Sequence, residues 1–267
     1  MSTFGRYGDL TGFYDEIFFY DLENYLMGMP GPPTMENCGF FAAQFIQDYH
    51  KDQQLELYGQ APYTGADNFS HMEHRSFSVS SLRPRPREFD SPGHMARYDQ
   101  VCRNVMQRHA KEATPEQNVR AFLRLIRYAE HDGKDDSSVY HTLYGGGKFT
   151  DDKTHPLPKG HEITKWGHRS SAAGAYQILY GTWKEQKDKG LVNDFSPDAQ
   201  DKIARYKLDE KGARTLIEEG DVEGAMTKLR HEWTSLPGAT QSKMTMQQAH
   251  VLFTDFVIEE MYLKEKK

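Results

Sequence analysis

The chain holds only two cysteines, Cys38 and Cys102, among 267 residues. That excludes a disulfide framework and a paired C-x-x-C zinc or redox motif. The two thiols could pair in an oxidising compartment or stay free. No run of about 18 apolar residues occurs, so no membrane-spanning helix is expected. A basic excess is also missing. The formal net charge of -6 argues against a nucleic-acid partner held by bulk electrostatics. The Arg83-Pro84-Arg85-Pro86-Arg87 run is too short and too broken by proline to change that. The opening "MSTFGRYGDLTGFYDE" lacks the basic-then-apolar pattern of a signal peptide. Synthesis in the cytoplasm without a leader is therefore expected, and action outside would need release or delivery. Tryptophan is absent from residues 1–112, and all three (Trp166, Trp183, Trp233) follow.

That shift in composition divides the chain. Residues 1–112 hold "EIFFYDLENYL", a helix capped by Thr34 through "MENCGFFAAQFIQDYH", and a linker candidate, "SSLRPRPREFDSPG". A further helix starts at Ser91-Pro92 and carries Met95, Tyr98, Val101 and Val105. This part reads as an accessory domain, and 113–267 as the functional one. There the signals are mostly helical. Ser196-Pro197 opens a helix to Glu210, and Gly212 opens another that stops at Gly220. Asp221 caps one carrying Met226, Leu229 and Trp233, and Thr245 with Gln248 caps the last. Between Asp132 and Ser170 the period is lost, and "VYHTLYGGGKFTDD" suits a short hairpin or lip.

The informative residue is Glu130, in "TPEQNVRAFLRLIRYAEHDG". Thr114 and Gln117 form a capping box and Pro115 takes the first helical position. Val119, Phe122, Leu123 and Ile126 mark one apolar stripe, and at ~100° per residue the next position on it is Glu130. A carboxylate on a buried stripe has its pKa raised, which is how an acid able to donate a proton near neutral pH is made. The same residue in a frayed last turn would swing out to water. Other motifs fail. "YGGGKFT" lacks the spacing of a phosphate loop, and no G-x-S-x-G elbow is present. His155, His161 and His168 with Glu162, and His71 with His74, match no standard metal spacing, so neither metal nor cofactor is expected. "SSAAGAYQIL" combines small residues with Tyr176-Gln177. It suits either the wall of a sugar cleft or a tightly packed helix start.

Taken together, "RAFLRLIRYAE", "GGGKFTDDKTHP", "SSAAGAYQIL", "DFSPDAQD" and "WTSLPGA" resemble the phage lambda lysozyme (endolysin) family over about residues 115–265. The resemblance implies a mainly α (α+β), lysozyme-like catalytic domain with a small β-hairpin or lip region, preceded here by a separate accessory domain. It implies a peptidoglycan lytic transglycosylase that cleaves the MurNAc–GlcNAc bond and leaves 1,6-anhydro-MurNAc ends. A single catalytic glutamate, matching Glu130, would act without a cofactor. Ser171 and Gln177 would hold sugar polar groups and Tyr176 would pack on a ring. Phe149 and Thr150 would belong to the lip, with Asp151 or Asp152 near the cleft. Two departures stand beside the site: His131 replaces the family's usual glycine, and Ala175 an arginine of the "GxYQ" block. A muramidase using an added acid such as Asp151, or a silent wall-binding or virion module, are the alternatives. Peptidoglycan strands are the expected partner, with no nucleic acid. An immunity protein, secretion machinery or a phage lysis partner would depend on how the enzyme reaches the wall.

Overall fold

The computed structural model describes residues 8–57, 92–165 and 167–262. The chain divides into two compact units, Met1–His109 and Ala110–Lys267. The first contains α1 (Gly8–Met27), α2 (Met35–Leu57) and α3 (Pro92–Ala110). Thr34 Oγ1 accepts from the Asn37 N–H at 3.2 Å, the N-cap expected for α2. The aromatic density of this part goes into a core of its own, where Phe18 and Phe19 meet Tyr98 edge-on. Cys38 and Cys102 lie in that core as free thiols. The proposed linker ahead of Pro92, His71, His74 and Trp166 lie outside the described residues.

The second unit is built on α4 (Pro115–Glu130), which packs mainly against α9 (Met246–Tyr262) and α7 (Arg214–Glu218). Both hydrogen bonds of the Thr114–Gln117 capping box are present. The stripe Val119, Phe122, Leu123 and Ile126 is buried, and Ala121 and Leu125 are buried beside it. Each large side chain so buried contributes roughly 1.5–3 kcal/mol. Together they fix the rotation of α4, and with it the direction of Glu130. On the polar side, Arg124 and Arg127 share Asp135, with contacts of 2.6 and 2.7 Å. The remaining helices are α5 (Tyr180–Asp188), α6 (Pro197–Glu210) and α8 (Val222–Leu229). Ser196 and Asp221 cap α6 and α8 through their side chains, and the Thr245–Gln248 box opens α9.

Two local expectations shift. The glycine segment is not the hairpin. It forms two 3-10 turns, Ser137–His141 and Tyr144–Gly146, joined to Lys148 by a single bridge from Thr142. Positive φ at Gly145 and Gly146, 81° and 95°, breaks the extended run. The antiparallel pair is β1 (Ile163–Lys165) with β2 (His168–Ser170), in which Lys165 pairs with His168 and Ile163 with Ser170. Trp233 lies beyond α8, in the turn that follows it. The architecture is otherwise the mainly helical one with a small two-stranded sheet.

Candidate active site

Glu130 ends α4 where the buried stripe runs out. Burial raises its pKa above the usual carboxylate range, and hydrogen bonds from Ser235 offset part of the rise. The negative end of the helix dipole adds to the cost of ionising a group at this position. The Ser235 hydroxyl donates to Glu130 Oε1 at 2.5 Å and so fixes one carboxyl oxygen.

The chain after Glu130 is held as firmly. The Gly133 N–H donates to the Tyr128 carbonyl at 2.9 Å, closing the helix end. His131 Nε2 lies 3.2 and 3.1 Å from the carbonyls of Gly174 and Ala175. Carbonyls only accept, so Nε2 carries the proton, and burial holds the imidazole pKa below its usual value. The residue that departs from the family pattern thus becomes a tie between the helix end and the "SSAAGAYQIL" segment.

A cleft of about 1440 Å³ opens beside Glu130. Residues 128–134 and 232–235 line it on one side, and the glycine lip 142–146 with Lys148 on another. Lys165 and His168 of the hairpin, Gln177, Leu179, Lys243, and Gln248 and Val251 of α9 also line it. Among the described residues, the non-glycines with left-handed φ are Asp132 (50°) and Gln177 (48°), and both line this cleft. Such conformations cost on the order of 1–3 kcal/mol and gather at functional sites.

Under Gln177 sits a buried polar network. Tyr176 is 1% exposed. Its hydroxyl donates to Asp201 at 2.7 Å and accepts from Arg127 at 2.9 Å, while Tyr140 donates to the same aspartate at 2.8 Å. Trp233 Nε1 donates to the Tyr176 carbonyl at 3.1 Å. Gly174 has φ 78°, and an added Cβ there would meet Gln200 Oε1 at 2.1 Å. The small residues of this segment therefore serve a close approach by α6. Gln177 Nε2 donates to the Gly174 carbonyl at 3.0 Å, which holds the side chain at the cleft wall.

Residues 120–258, just over half the chain, match the Endolysin family profile. The chain belongs to the endolysin family. It is 34% identical over 134 residues to the endolysin of Escherichia phage P2, covering 46% of this chain and 81% of that one. Against the endolysin of Escherichia phage lambda it is 33% identical over 126 residues, covering 45% and 77%. A solved structure of bacteriophage lambda lysozyme complexed with a chitohexasaccharide shares 32% identity, covers 52% of this chain and 92% of that chain, and gives a TM-score of 0.45. The protein is thus an endolysin-type, lysozyme-like cell-wall lytic enzyme.

The endolysin unit brings only some of the expected site residues together. Glu130 and Gln177 line the cleft, as does Tyr176 from beneath. Tyr176 is corrected from sugar platform to scaffold, because its ring is buried and its hydroxyl is engaged. Ser171, Phe149, Thr150 and Asp151 do not line the cleft. Ser171 Oγ accepts from the Tyr180 N–H at the start of α5. Phe149 packs on Phe195. Thr150 is exposed, and Asp151 Oδ1 closes a turn onto the Lys153 N–H. The Phe195 N–H donates to the Asp152 carbonyl at 2.6 Å, which pins this stretch to the start of α6. His155 is a core histidine: both ring nitrogens meet backbone groups, of Ile178 and Leu157. Ser235 was missed. Its signal was a small polar residue inside the "WTSLPGA" block, between a core tryptophan and a buried proline.

Proposed function

We propose that the Glu130 cleft acts as a peptidoglycan lytic transglycosylase, cleaving the MurNAc–GlcNAc bond and leaving 1,6-anhydro-MurNAc ends. The observation that carries this reading is one desolvated carboxyl, while each of the other acids lining the cleft lies beside a lysine ammonium. The other acids lining the cleft are Asp132 and Glu232. Asp132 pairs with Lys243 at 2.6 Å, and Glu232 with Lys211 at 3.3 Å and Lys207 at 3.7 Å. Hydrolytic glycosidases use two carboxyls, one as acid and one as base or nucleophile. A transglycosylase can manage with one.

In the proposed reaction, neutral Glu130 gives its proton to the glycosidic oxygen as the bond to muramic C1 breaks. The carboxylate so formed accepts the proton of the C6 hydroxyl, whose oxygen bonds to C1. Ser235 orients the carboxyl in both roles. Gln177, held by the Gly174 carbonyl, faces the sugar's amide and hydroxyl groups. General acid–base assistance of this kind contributes on the order of 10²–10⁴ in rate. The muramidase alternative would need a water-orienting acid, and Asp151 does not line the cleft. A silent wall-binding module has no use for a buried acid that costs it stability. The endolysin match begins at residue 120 and leaves the first unit without a role; delivery or targeting is the role proposed for it. Co-purification of a small inhibitory immunity protein would mark a delivered effector. Lysis only alongside a pore-forming partner would mark a phage lysin.

Mass spectrometry of peptidoglycan digested by the wild type and by Glu130→Gln tests the reading. Anhydro-muramyl products that disappear in the variant are expected. Reducing muramic ends would make the enzyme a hydrolase, and an active Glu130→Gln would remove Glu130 from the mechanism.

A further inference from the structure

The charge of the cleft is opposite to that of the chain. The sequence carries -6 overall, yet Lys134, Lys148, Lys165 and Lys243 line the cleft against Asp132, Glu232 and Glu130. Lys243 is taken up by Asp132, and Glu232 by Lys207 and Lys211. Lys148 differs. Its ammonium donates to the Ser138 carbonyl at 2.8 Å and to Thr142 Oγ1 at 2.6 Å. Both acceptors are neutral, and no ion pair to Lys148 occurs among the described residues. An ammonium has three donors. Two aim the group and one remains, with the full charge unneutralised. The side chain is exposed at the lip, so that donor is open to the cleft.

A fully N-acetylated glycan backbone is uncharged and gives a fixed cation nothing to pair with. The muramyl branch supplies what is missing, as a lactyl carboxylate where the peptide has been removed or as stem-peptide carboxylates where it is present. We propose that Lys148 is a carboxylate-binding point of the cleft, which reads the acidic muramyl branch of the strand. This rests on the peptidoglycan reading above and adds a substrate contact to it.

The test is binding, measured by calorimetry on the full chain carrying Glu130→Gln, so that turnover does not intervene. The probes are soluble glycan–peptide strands, the same strands with their carboxylates amidated, and strands stripped of stems by an amidase. Adding Lys148→Gln should raise Kd for untreated strands roughly tenfold, the loss expected for one hydrogen bond to a charged group. Lys148→Arg should retain most of the affinity. Amidation should weaken the Glu130→Gln protein to the same degree and leave the Lys148→Gln protein unchanged. A tenfold effect confined to stem-bearing strands assigns the stem carboxylates, and one confined to stripped strands assigns the lactyl group. Equal weakening on untreated and amidated strands would overturn the proposal, because Lys148 would then act only by fastening the lip. If the carboxylate dependence holds but the native protein releases no fragments, the proposed reaction falls and the binding point stands. If no strand binds, both fall.

Discussion

Replacing Ser235 by alanine removes the donor that meets Glu130 Oε1 at 2.5 Å and leaves the backbone and the cleft walls in place. The proposed reaction needs Glu130 twice, as an acid and then as a carboxylate. The hydroxyl favours the carboxylate, while burial disfavours it more strongly. A hydrogen bond to a charged group contributes about 1.5–3 kcal/mol, so the step in which the carboxylate forms should slow roughly 10- to 100-fold. The sign of the pH effect is separate from the loss of rate. Without the hydroxyl, the carboxyl pKa rises further, and the alkaline limb of activity, where the acid loses its proton, moves to higher pH. The assay is release of soluble muropeptides across pH, analysed as kcat/KM. Ser235→Thr, which keeps a hydroxyl, should recover most of both effects. A fall in rate with the alkaline limb unmoved would refute the reasoning, because it would show that Ser235 supports the fold and does not touch the titration of Glu130.

Glu130→Gln should raise Tm at pH 8 and leave it unchanged near pH 4 when melting is followed by circular dichroism. At low pH both folded and unfolded carboxyls are protonated. As pH rises through the raised folded value, the wild type carries a desolvated charge that destabilises it. Arg127→Met should cost about 1–3 kcal/mol in chemical denaturation, since Asp135 keeps Arg124 but loses one partner and the Tyr176 hydroxyl loses its donor. Gly174→Ala should cost about 1–3 kcal/mol from its positive φ alone. It should also lower activity, because the new methyl displaces Gln200 and shifts the carbonyl that holds Gln177. In an NMR titration, His131 should take up its proton below the usual histidine range, with Nε2 protonated in the neutral form.

What the sequence determined by itself is short-ranged. The Thr114–Gln117 and Thr245–Gln248 boxes, the Ser196 and Asp221 caps and the Val119–Ile126 stripe each depend on groups within a few turns of one helix. A helical period carries that information without knowledge of the rest of the fold. It also set Glu130 on the buried stripe, but left open whether a last-turn side chain stays there or swings out to water. Only the tertiary structure decided what surrounds that acid. Ser235 arrives from 105 positions away, and His131 finds its partners on a segment more than 40 positions later. Tyr176 was legible as an important residue, but the choice between wall and scaffold was made by Arg127 and Asp201. Ser171, Phe149, Thr150 and Asp151 do not line the cleft, for the same reason. They lie in or beside irregular backbone, where no period says which side faces a cavity, and the direction of each side chain is set by whichever distant element offers it a partner.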